Sequence, residues 1–190
     1  MAAIGMQYPV WAELTAESNH TLTYGTGLVL GRAVNANLSW EKDDSELYGD
    51  DAVAETDGSI TGYTLDIGTT ELEETKEAAV LGFQKVGETD EYEITDDSAP
   101  YGGFGYIRVL KRRGVRLYKA VWYPKLQFTV GNETDNTKQR QISWGTPTIS
   151  GKGLAVYDDA TGKAKYRKQQ VFTTLAAAKT YLNGKANITA

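Results

Sequence analysis

The sequence predicts a mainly β protein with one flanking α-helix, of the β-sandwich or small-barrel type, with a long extended loop and a short C-terminal helix. Two observations carry this prediction. Apolar and polar residues alternate with a period of two through much of the chain, as in strands that bury one face. Segments rich in Gly, Asn and Asp separate these runs, as turns do. At 190 residues the chain is expected to form one domain, residues 1–190, long enough to bury a core.

Two alternating segments predict strands in the first half of the chain, after an N-terminal segment at residues 1–14. Residues 34–40 place apolar side chains at every second position and polar ones between them. Residues 63–67 repeat the pattern. Each segment is therefore expected to be a strand with one buried face.

A β-hairpin is predicted in the second half of the chain. Two β-rich runs, residues 105–110 and 115–123, flank a basic spacer at 111–114 that ends in Gly114. Glycine accepts the positive φ that tight hairpin turns require. Pro124 has no N–H to donate, so we expect it to interrupt the hydrogen-bond ladder of the second strand before the alternation resumes.

The first helix is predicted over residues 71–81. Thr70 and Glu73 have the spacing of a capping box, in which the two side chains satisfy early backbone amides. Acidic residues in the first turn favour the helix dipole. Gly82 stands where a glycine commonly ends a helix.

A second, shorter helix is predicted over residues 175–182. Thr174 is the expected N-cap, and Asn183 with Gly184 is expected to end the helix. The helix lies in the C-terminal segment, residues 153–190, whose role the sequence leaves open.

The charge distribution is strongly bipolar. The net charge is -5, but residues 1–100 contain 21 acids and 4 bases, whereas residues 101–190 contain 4 acids and 16 bases. The two parts therefore carry net charges of -17 and +12. These charges can meet within one chain, or between neighbouring copies, where they would favour one orientation. The sequence leaves both arrangements open.

Residues 41–57 are predicted to form an extended, irregular arm. The segment contains eight acids, one lysine and two apolar residues of note, Leu47 and Tyr48. A loop of this length in a compact domain is typically functional or disordered. An apolar pair amid solubilising charge predicts a docking contact that also involves Asp50 and Asp51, and a solvated acidic excursion is the alternative.

Cysteine and histidine usage excludes several kinds of site. With no cysteine and one histidine, His20, the sequence excludes disulfide scaffolds, thiolate zinc sites and most nucleophile–histidine catalysis. No pair of aspartates has the spacing of a calcium loop. The 25 acids single out no general acid–base pair. We therefore expect no enzymatic activity, no catalytic residues, no metal site and no cofactor.

Basic and aromatic residues are interleaved around the predicted hairpin. Lys119 follows four closely spaced basic residues, Lys111, Arg112, Arg113 and Arg116. A basic groove with stacking aromatic rings is how single-stranded nucleic acid is held. Aromatic alternation is also ordinary sheet packing. We interpret these four residues as a basic partner surface and do not expect specific nucleic-acid binding.

Several short motifs follow one another in a characteristic order between residue 4 and about residue 155. They are Tyr8-Pro9-Val10-Trp11-Ala12-Glu13-Leu14, Leu47-Tyr48-Gly49-Asp50-Asp51, the helix at 71–81 with Gly82-Phe83, Ala99-Pro100-Tyr101, Tyr118-Lys119-Ala120-Val121-Trp122-Tyr123-Pro124-Lys125 and Thr146-Pro147-Thr148. In this order and spacing they resemble the major tail protein, or tail tube, family of long-tailed, non-contractile bacteriophages.

The resemblance implies a structural virion protein, made in the cytoplasm of the host bacterium, that self-assembles into stacked hexameric rings. The stacked rings form the tail tube, the conduit for DNA ejection, through which DNA passes without sequence-specific binding. By matching position, residues 41–57 would bridge subunits, with Leu47, Tyr48, Asp50 and Asp51 as contacts. The implied partners are further copies of the chain and other tail proteins, namely the tape measure, tail terminator and distal tail proteins, with no membrane.

Two other functions are left open by the residues. A carbohydrate-binding β-sandwich is the alternative, motivated by 12 tyrosines and 4 tryptophans. An enzyme that uses a carboxylate pair is the third and least supported interpretation, because no arrangement of residues selects two of the acids.

Overall fold

The structure, a computed structural model, describes residues 2–18, 21–43, 45–49, 52–88, 91–96, 98–129, 148–158 and 161–189. Over these ranges the chain forms fifteen strands and two helices, which confirms the mainly β fold class with a short C-terminal helix. The strands are β1 (Ala2–Ser18), β2 (Thr21–Tyr24), β3 (Leu28–Val29), β4 (Ala33–Lys42), β5 (Ser45–Gly49), β6 (Ala52–Asp57), β7 (Ile60–Thr69), β8 (Gln84–Lys85), β9 (Tyr92–Glu93), β10 (Tyr101–Arg112), β11 (Val115–Thr129), β12 (Thr148–Gly153), β13 (Val156–Tyr157), β14 (Ala164–Lys165) and β15 (Lys168–Phe172). The helices are α1 (Glu74–Leu81) and α2 (Leu175–Ala186).

Nine of these strands form one antiparallel sheet. Its order is β2-β1-β10-β11-β12-β7-β4, with β3 paired to β1 and β15 paired to β11. The N-terminal segment belongs to the long strand β1, which pairs with β10 from Ala2 opposite Lys111 to Glu13 opposite Gly102. The predicted strands at 34–40 and 63–67 are β4 and β7, which pair with each other. The other described strands form three two-stranded ribbons: β5–β6, β8–β9 and β13–β14.

Strand β11 continues through Pro124, but its hydrogen-bond ladder is interrupted there, as predicted. The strand changes partners at this point, because β15 pairs with it up to Trp122 and β12 pairs with it from Leu126 onward. On its other side, the register with β10 shifts between Gly102 and Phe104. Proline is tolerated at such an irregularity, where its missing N–H removes no regular ladder bond.

Both faces of the central strands β1, β10 and β11 are buried. On one face, Phe104, Tyr106 and Tyr123 pack with residues of β7 and α1. On the opposite face, Ile107 and Trp122 pack beneath helix α2. The residues that α2 contributes to this second cluster are Ala178, Leu182 and Ala186. Helix α2 is therefore an integral layer of the fold, which gives the C-terminal segment a structural role.

The glycines that precede Phe104 allow two tryptophans to pack against the backbone of β10. A Cβ atom at Gly102 would lie 2.4 Å from Trp11 Nε1. A Cβ atom at Gly103 would lie 2.3 Å from Trp122 Cζ2. Both distances are too short for any side chain. The Gly-rich motif therefore serves close backbone approach, as glycine within strands often does.

Helix α1 begins at Glu74, later than the capping box predicts. Glu73 is the N-cap residue, and its side chain makes no capping hydrogen bond. Thr70 lies three residues before this N-cap, where its N–H donates to Arg32 O at 2.9 Å and holds it beside the start of β4. The other end of the helix is as predicted, since Gly82 adopts a left-handed conformation with φ of 80°.

Helix α2 begins as predicted and ends later. Thr174 Oγ1 accepts a hydrogen bond from Ala177 N at 3.3 Å and caps the N-terminus. The helix passes through Asn183 and Gly184, where the sequence predicts its end, and stops at Asn187 in a left-handed conformation. Packing against the sheet overrides the local stop signal.

Candidate assembly surfaces

Within residues 41–57, the described residues form strands that extend the pairing of β4 with β7, so the predicted irregular structure is wrong over these residues. β4 pairs with β7 as far as Lys42 opposite Ile60. Asp43 N then donates to Ser59 O at 2.8 Å. Strands β5 and β6 continue the pairing from Ser45 opposite Asp57 to Gly49 opposite Ala52. We call β5 and β6 the ribbon.

The ribbon contains two of the four predicted contact residues within described strands. Leu47 lies opposite Glu55, and Tyr48 lies opposite Val53, with a register shift between these two pairs. Asp50 and Asp51, the other two predicted contacts, lie outside the described residues. The backbone therefore places Leu47 and Tyr48 at adjacent positions near the outer end of a two-stranded extension.

The base of the ribbon is held to the body by polar contacts. Glu41 Oε1 accepts a hydrogen bond from Thr64 Oγ1 at 3.3 Å, and Glu41 Oε2 lies 3.6 Å from Lys152 Nζ. On the other strand, Ile60 O accepts a hydrogen bond of 2.5 Å from Tyr166 Oη. These contacts position the start of the ribbon, whereas β5 and β6 pair only with each other among the described strands.

The β10–β11 hairpin presents the predicted basic residues at its tip. Arg113 and Gly114 form the turn with φ values of 46° and 84°, the positive values of a two-residue turn. The hairpin prediction is thus confirmed, with a shorter turn than the four-residue spacer. The tip residues are Lys111, Arg112, Arg113 and Arg116, and all four are exposed. Among the described residues, none of them forms an ion pair with an acid.

Ion pairs within one chain join part of the acidic half to the basic half. Lys125 Nζ lies 2.5 Å from Glu17 Oε2, and Lys152 pairs with Glu41 at the ribbon base. These contacts neutralise charge within the subunit. The basic tip takes no part in these two ion pairs.

Eleven of the 16 tyrosines and tryptophans that motivate a carbohydrate platform lie in the core or pack against it. Trp11, Trp122 and Tyr63 are buried, and so are Tyr106 and Tyr123. Six more are partly buried against the core, namely Tyr8, Tyr24, Trp40, Tyr118, Tyr166 and Tyr181. Tyr101 and Tyr157, on β10 and β13, are exposed. The number of tyrosines and tryptophans is therefore accounted for largely by packing.

The buried tyrosines are kept in their neutral form by desolvation. Burial raises the pKa of Tyr24 from 10.0 to about 12, and it raises the pKa of Tyr63 and Tyr123 further. Such groups exchange no proton near neutral pH and act in packing and hydrogen bonding. No group of three or more potential metal ligands exists within the described ranges, and His20 lies outside them.

Sequence reasoning assigned Lys119 to the hairpin cations and missed its proximity to Arg108 and Arg167. Arg108 and Lys119 lie opposite each other on β10 and β11, and Arg167 precedes β15. The predicted hairpin implies that Arg108 and Lys119 lie opposite each other, because both are the same number of residues from the turn. The position of Arg167 depends on the pairing of β15 with β11, which the local sequence does not indicate.

No helix in the described part of the chain is long and apolar enough to cross a membrane. The chain matches no protein-family model, and no curated protein is significantly similar to it in sequence.

Proposed function

We propose that this chain is a structural subunit that assembles with copies of itself into a phage tail tube, a conduit for DNA. The observation that carries the proposal is the ribbon, an ordered two-stranded extension whose strands pair only with each other in the described structure. The order of short motifs that resembles the tail tube family is the reason for proposing a tube as the assembly.

The ribbon has the properties of an assembly element. An isolated two-stranded hairpin is at best marginally stable in water and gains stability from a surface on which to pack. Its sequence joins an apolar pair, Leu47 and Tyr48, to the acids of residues 41–57. Binding to a neighbouring copy would bury the apolar pair, and the charges would keep the free subunit soluble.

The open edges of the large sheet support lateral assembly. Strand β4 is the last strand in the sheet order and pairs only with β7 among the described strands. Its ten residues leave backbone donors and acceptors along one edge. Such an edge is a template for pairing with a strand of another chain, which is how a ring of subunits could close.

Charge complementarity supports a fixed orientation between copies. The ribbon and its flanks belong to the part of the chain with net charge -17, and the exposed basic tip belongs to the part with net charge +12. Long-range attraction between unlike surfaces favours one way of docking over others. The proposal assigns the unpaired basic tip to contacts between subunits.

Electron microscopy of the purified chain tests the proposal. Concentrated protein in negative stain is expected to show hollow tubes of uniform diameter built from stacked rings. Protein that stays monomeric at every concentration and salt condition would contradict self-assembly. Filaments without a lumen would contradict the conduit.

A further inference from the structure

Three basic side chains converge at the border of the aromatic core. Arg108 and Lys119 are directly opposite each other in the antiparallel pair β10–β11, so their side chains project from the same face. Arg167 comes directly before β15, which pairs with β11 from Trp122 back to Tyr118. All three residues are half-buried.

Aromatic groups hold the two arginines. Arg108 Nη2 donates a hydrogen bond of 3.0 Å to Tyr106 Oη, and its guanidinium carbon lies 5.9 Å from the centre of that ring. The guanidinium carbon of Arg167 lies 5.4 Å from the centre of the Trp40 ring. These contacts position both guanidinium groups without neutralising their charge.

The cluster has no acidic partner among the described residues, since none of its three members forms an ion pair there. Burial lowers the pKa of Lys119, and the charges of Arg167 and Arg108 lower it further. Like charges directly opposite across two strands destabilise a sheet. Among the described residues, no acid forms an ion pair that would compensate the charge of this cluster.

A buried hydroxyl borders the cluster. Tyr123 Oη is buried and lies near the side chains of Tyr106 and Arg167, although no group of the described chain meets hydrogen-bond geometry with it. The positive charge of Arg167 acts on this phenol and opposes the effect of burial on its pKa. A ligand held by Arg167 could therefore also accept a hydrogen bond from the Tyr123 hydroxyl.

We propose that Arg108, Lys119 and Arg167 form a binding site for an oxyanion. Two planar guanidinium groups and one ammonium group supply several charged donors, which suit the oxygens of a phosphate or a carboxylate. A bound anion would remove the repulsion among the three cations. The oxygens can come from free phosphate or from the acidic residues 41–57 of a second copy.

Thermal unfolding of the full chain tests this site. Sodium phosphate is expected to raise the melting temperature of wild-type protein more than sodium chloride at equal ionic strength, because a ligand that binds the native state stabilises it. In the variant Lys119→Gln, phosphate binding is expected to weaken by about tenfold or more, as for loss of a charge-assisted hydrogen bond. Without phosphate this variant should melt no lower than wild type, because the repulsion is relieved.

Two control variants separate the site from general charge effects. Lys111→Gln removes one positive charge from the exposed basic tip and should keep the full response to phosphate. Lys119→Arg keeps the charge and should restore most of the response. Phosphate and chloride could raise the melting temperature of wild type equally, or Lys119→Gln could keep the full response to phosphate. Either result overturns the proposal, unless the acidic peptide described next binds to the site.

A second arm identifies the source of the oxygens. A synthetic peptide of residues 41–57 is added to the wild-type chain and to Lys119→Gln, beside a peptide in which every acid is replaced by its amide. Binding of the acidic peptide that Lys119→Gln weakens supports the site and identifies carboxylate as its ligand. Binding of phosphate alone, weakened in Lys119→Gln, supports the site and identifies phosphate as its ligand. Binding of neither overturns the proposal, whether or not the chain forms tubes.

Discussion

Tyr8 Oη donates a hydrogen bond of 2.8 Å to Asn183 Oδ1 and so joins strand β1 to helix α2. Tyr8 has a positive φ of 59°, which is unusual for a residue other than glycine, and the bond holds its side chain against the helix. Lys179 Nζ lies 4.7 Å from the centre of the Tyr8 ring. The two ends of the chain thus stabilise each other, and helix α2 belongs to the folded core.

Truncation of the buried face of α2 is expected to destabilise the whole fold. Leu182 is fully buried between α2 and the central strands. Leu182→Ala should lower the free energy of unfolding by about 2–5 kcal/mol, because it leaves a cavity. Thr180→Ala, on the exposed side of the same helix, should change it by less than about 0.5 kcal/mol. Urea unfolding measures both, and equal effects would show that α2 contributes no core packing.

Addition of one methyl group to β10 is expected to be harmful at Gly103. Its Cβ would lie 2.3 Å from Trp122 Cζ2 and 2.8 Å from Tyr24 Cε1, inside a packed cluster. Gly103→Ala should cost about 1–3 kcal/mol or more through overpacking. Gly184→Ala is the matched control, since its Cβ meets nothing within 4 Å and α2 should gain about 0.5–1 kcal/mol. A neutral Gly103→Ala would contradict the described packing.

Stability is expected to fall at alkaline pH because of the buried tyrosines. Burial raises the pKa of Tyr24 to about 12, and Tyr24 Oη donates a hydrogen bond of 2.7 Å to Pro124 O. The unfolded chain loses this proton near its usual pKa of 10.0, so between these values the native state binds more protons than the unfolded state. The contribution is fully present below pH 10.0 and is lost as pH rises toward 12.

Urea unfolding of wild type and Tyr24→Phe at several pH values measures this effect. The variant should be less stable near neutral pH, since it loses the hydrogen bond to Pro124, and its stability should fall less steeply above pH 10. The remaining fall in the variant is assigned to Tyr63 and Tyr123. Identical pH profiles for the two proteins would contradict a role for Tyr24.

Local sequence signals predict the hairpin turn and the helix ends that are stabilised by residues nearby in the chain. The β10–β11 hairpin follows from the alternation of its strands and from the positive φ that Gly114 accepts. The N-cap Thr174 and the C-terminal Gly82 follow from backbone groups that helix ends leave free. These features depend on residues close together in the chain.

The errors arise where distant contacts compete with local signals. The capping box of Thr70 and Glu73 does not form, since the Thr70 N–H that Glu73 would accept from donates to Arg32 O instead. The break in the ladder at Pro124 follows from the missing N–H, but no local pattern shows that β12 replaces β15 as the partner there. The ribbon continues a register that β4 and β7 set, although its acidic composition disfavours strands.

Neutralising the basic tip is expected to weaken assembly without unfolding the subunit. A variant with Lys111, Arg112, Arg113 and Arg116 replaced by glutamine removes exposed charges that form no ion pair in the described chain. Sedimentation should show weaker association than in wild type, with a similar melting temperature. Wild-type association should also weaken between about 0.05 and 1 M salt, because salt screens exposed charges. If neither the four substitutions nor added salt weakens association, assembly depends on apolar contacts and not on the basic tip.

Removal of the ribbon tests the central claim most directly. Replacing residues 44–58 by an Asn-Gly turn joins Asp43 to Ser59, whose backbone groups are already 2.8 Å apart, and keeps the pairing of β4 with β7. We predict that this variant keeps the wild-type circular dichroism spectrum and melts cooperatively. In negative stain it should form no tubes under conditions in which wild type does. Normal tubes from the folded variant would contradict the ribbon as the assembly element.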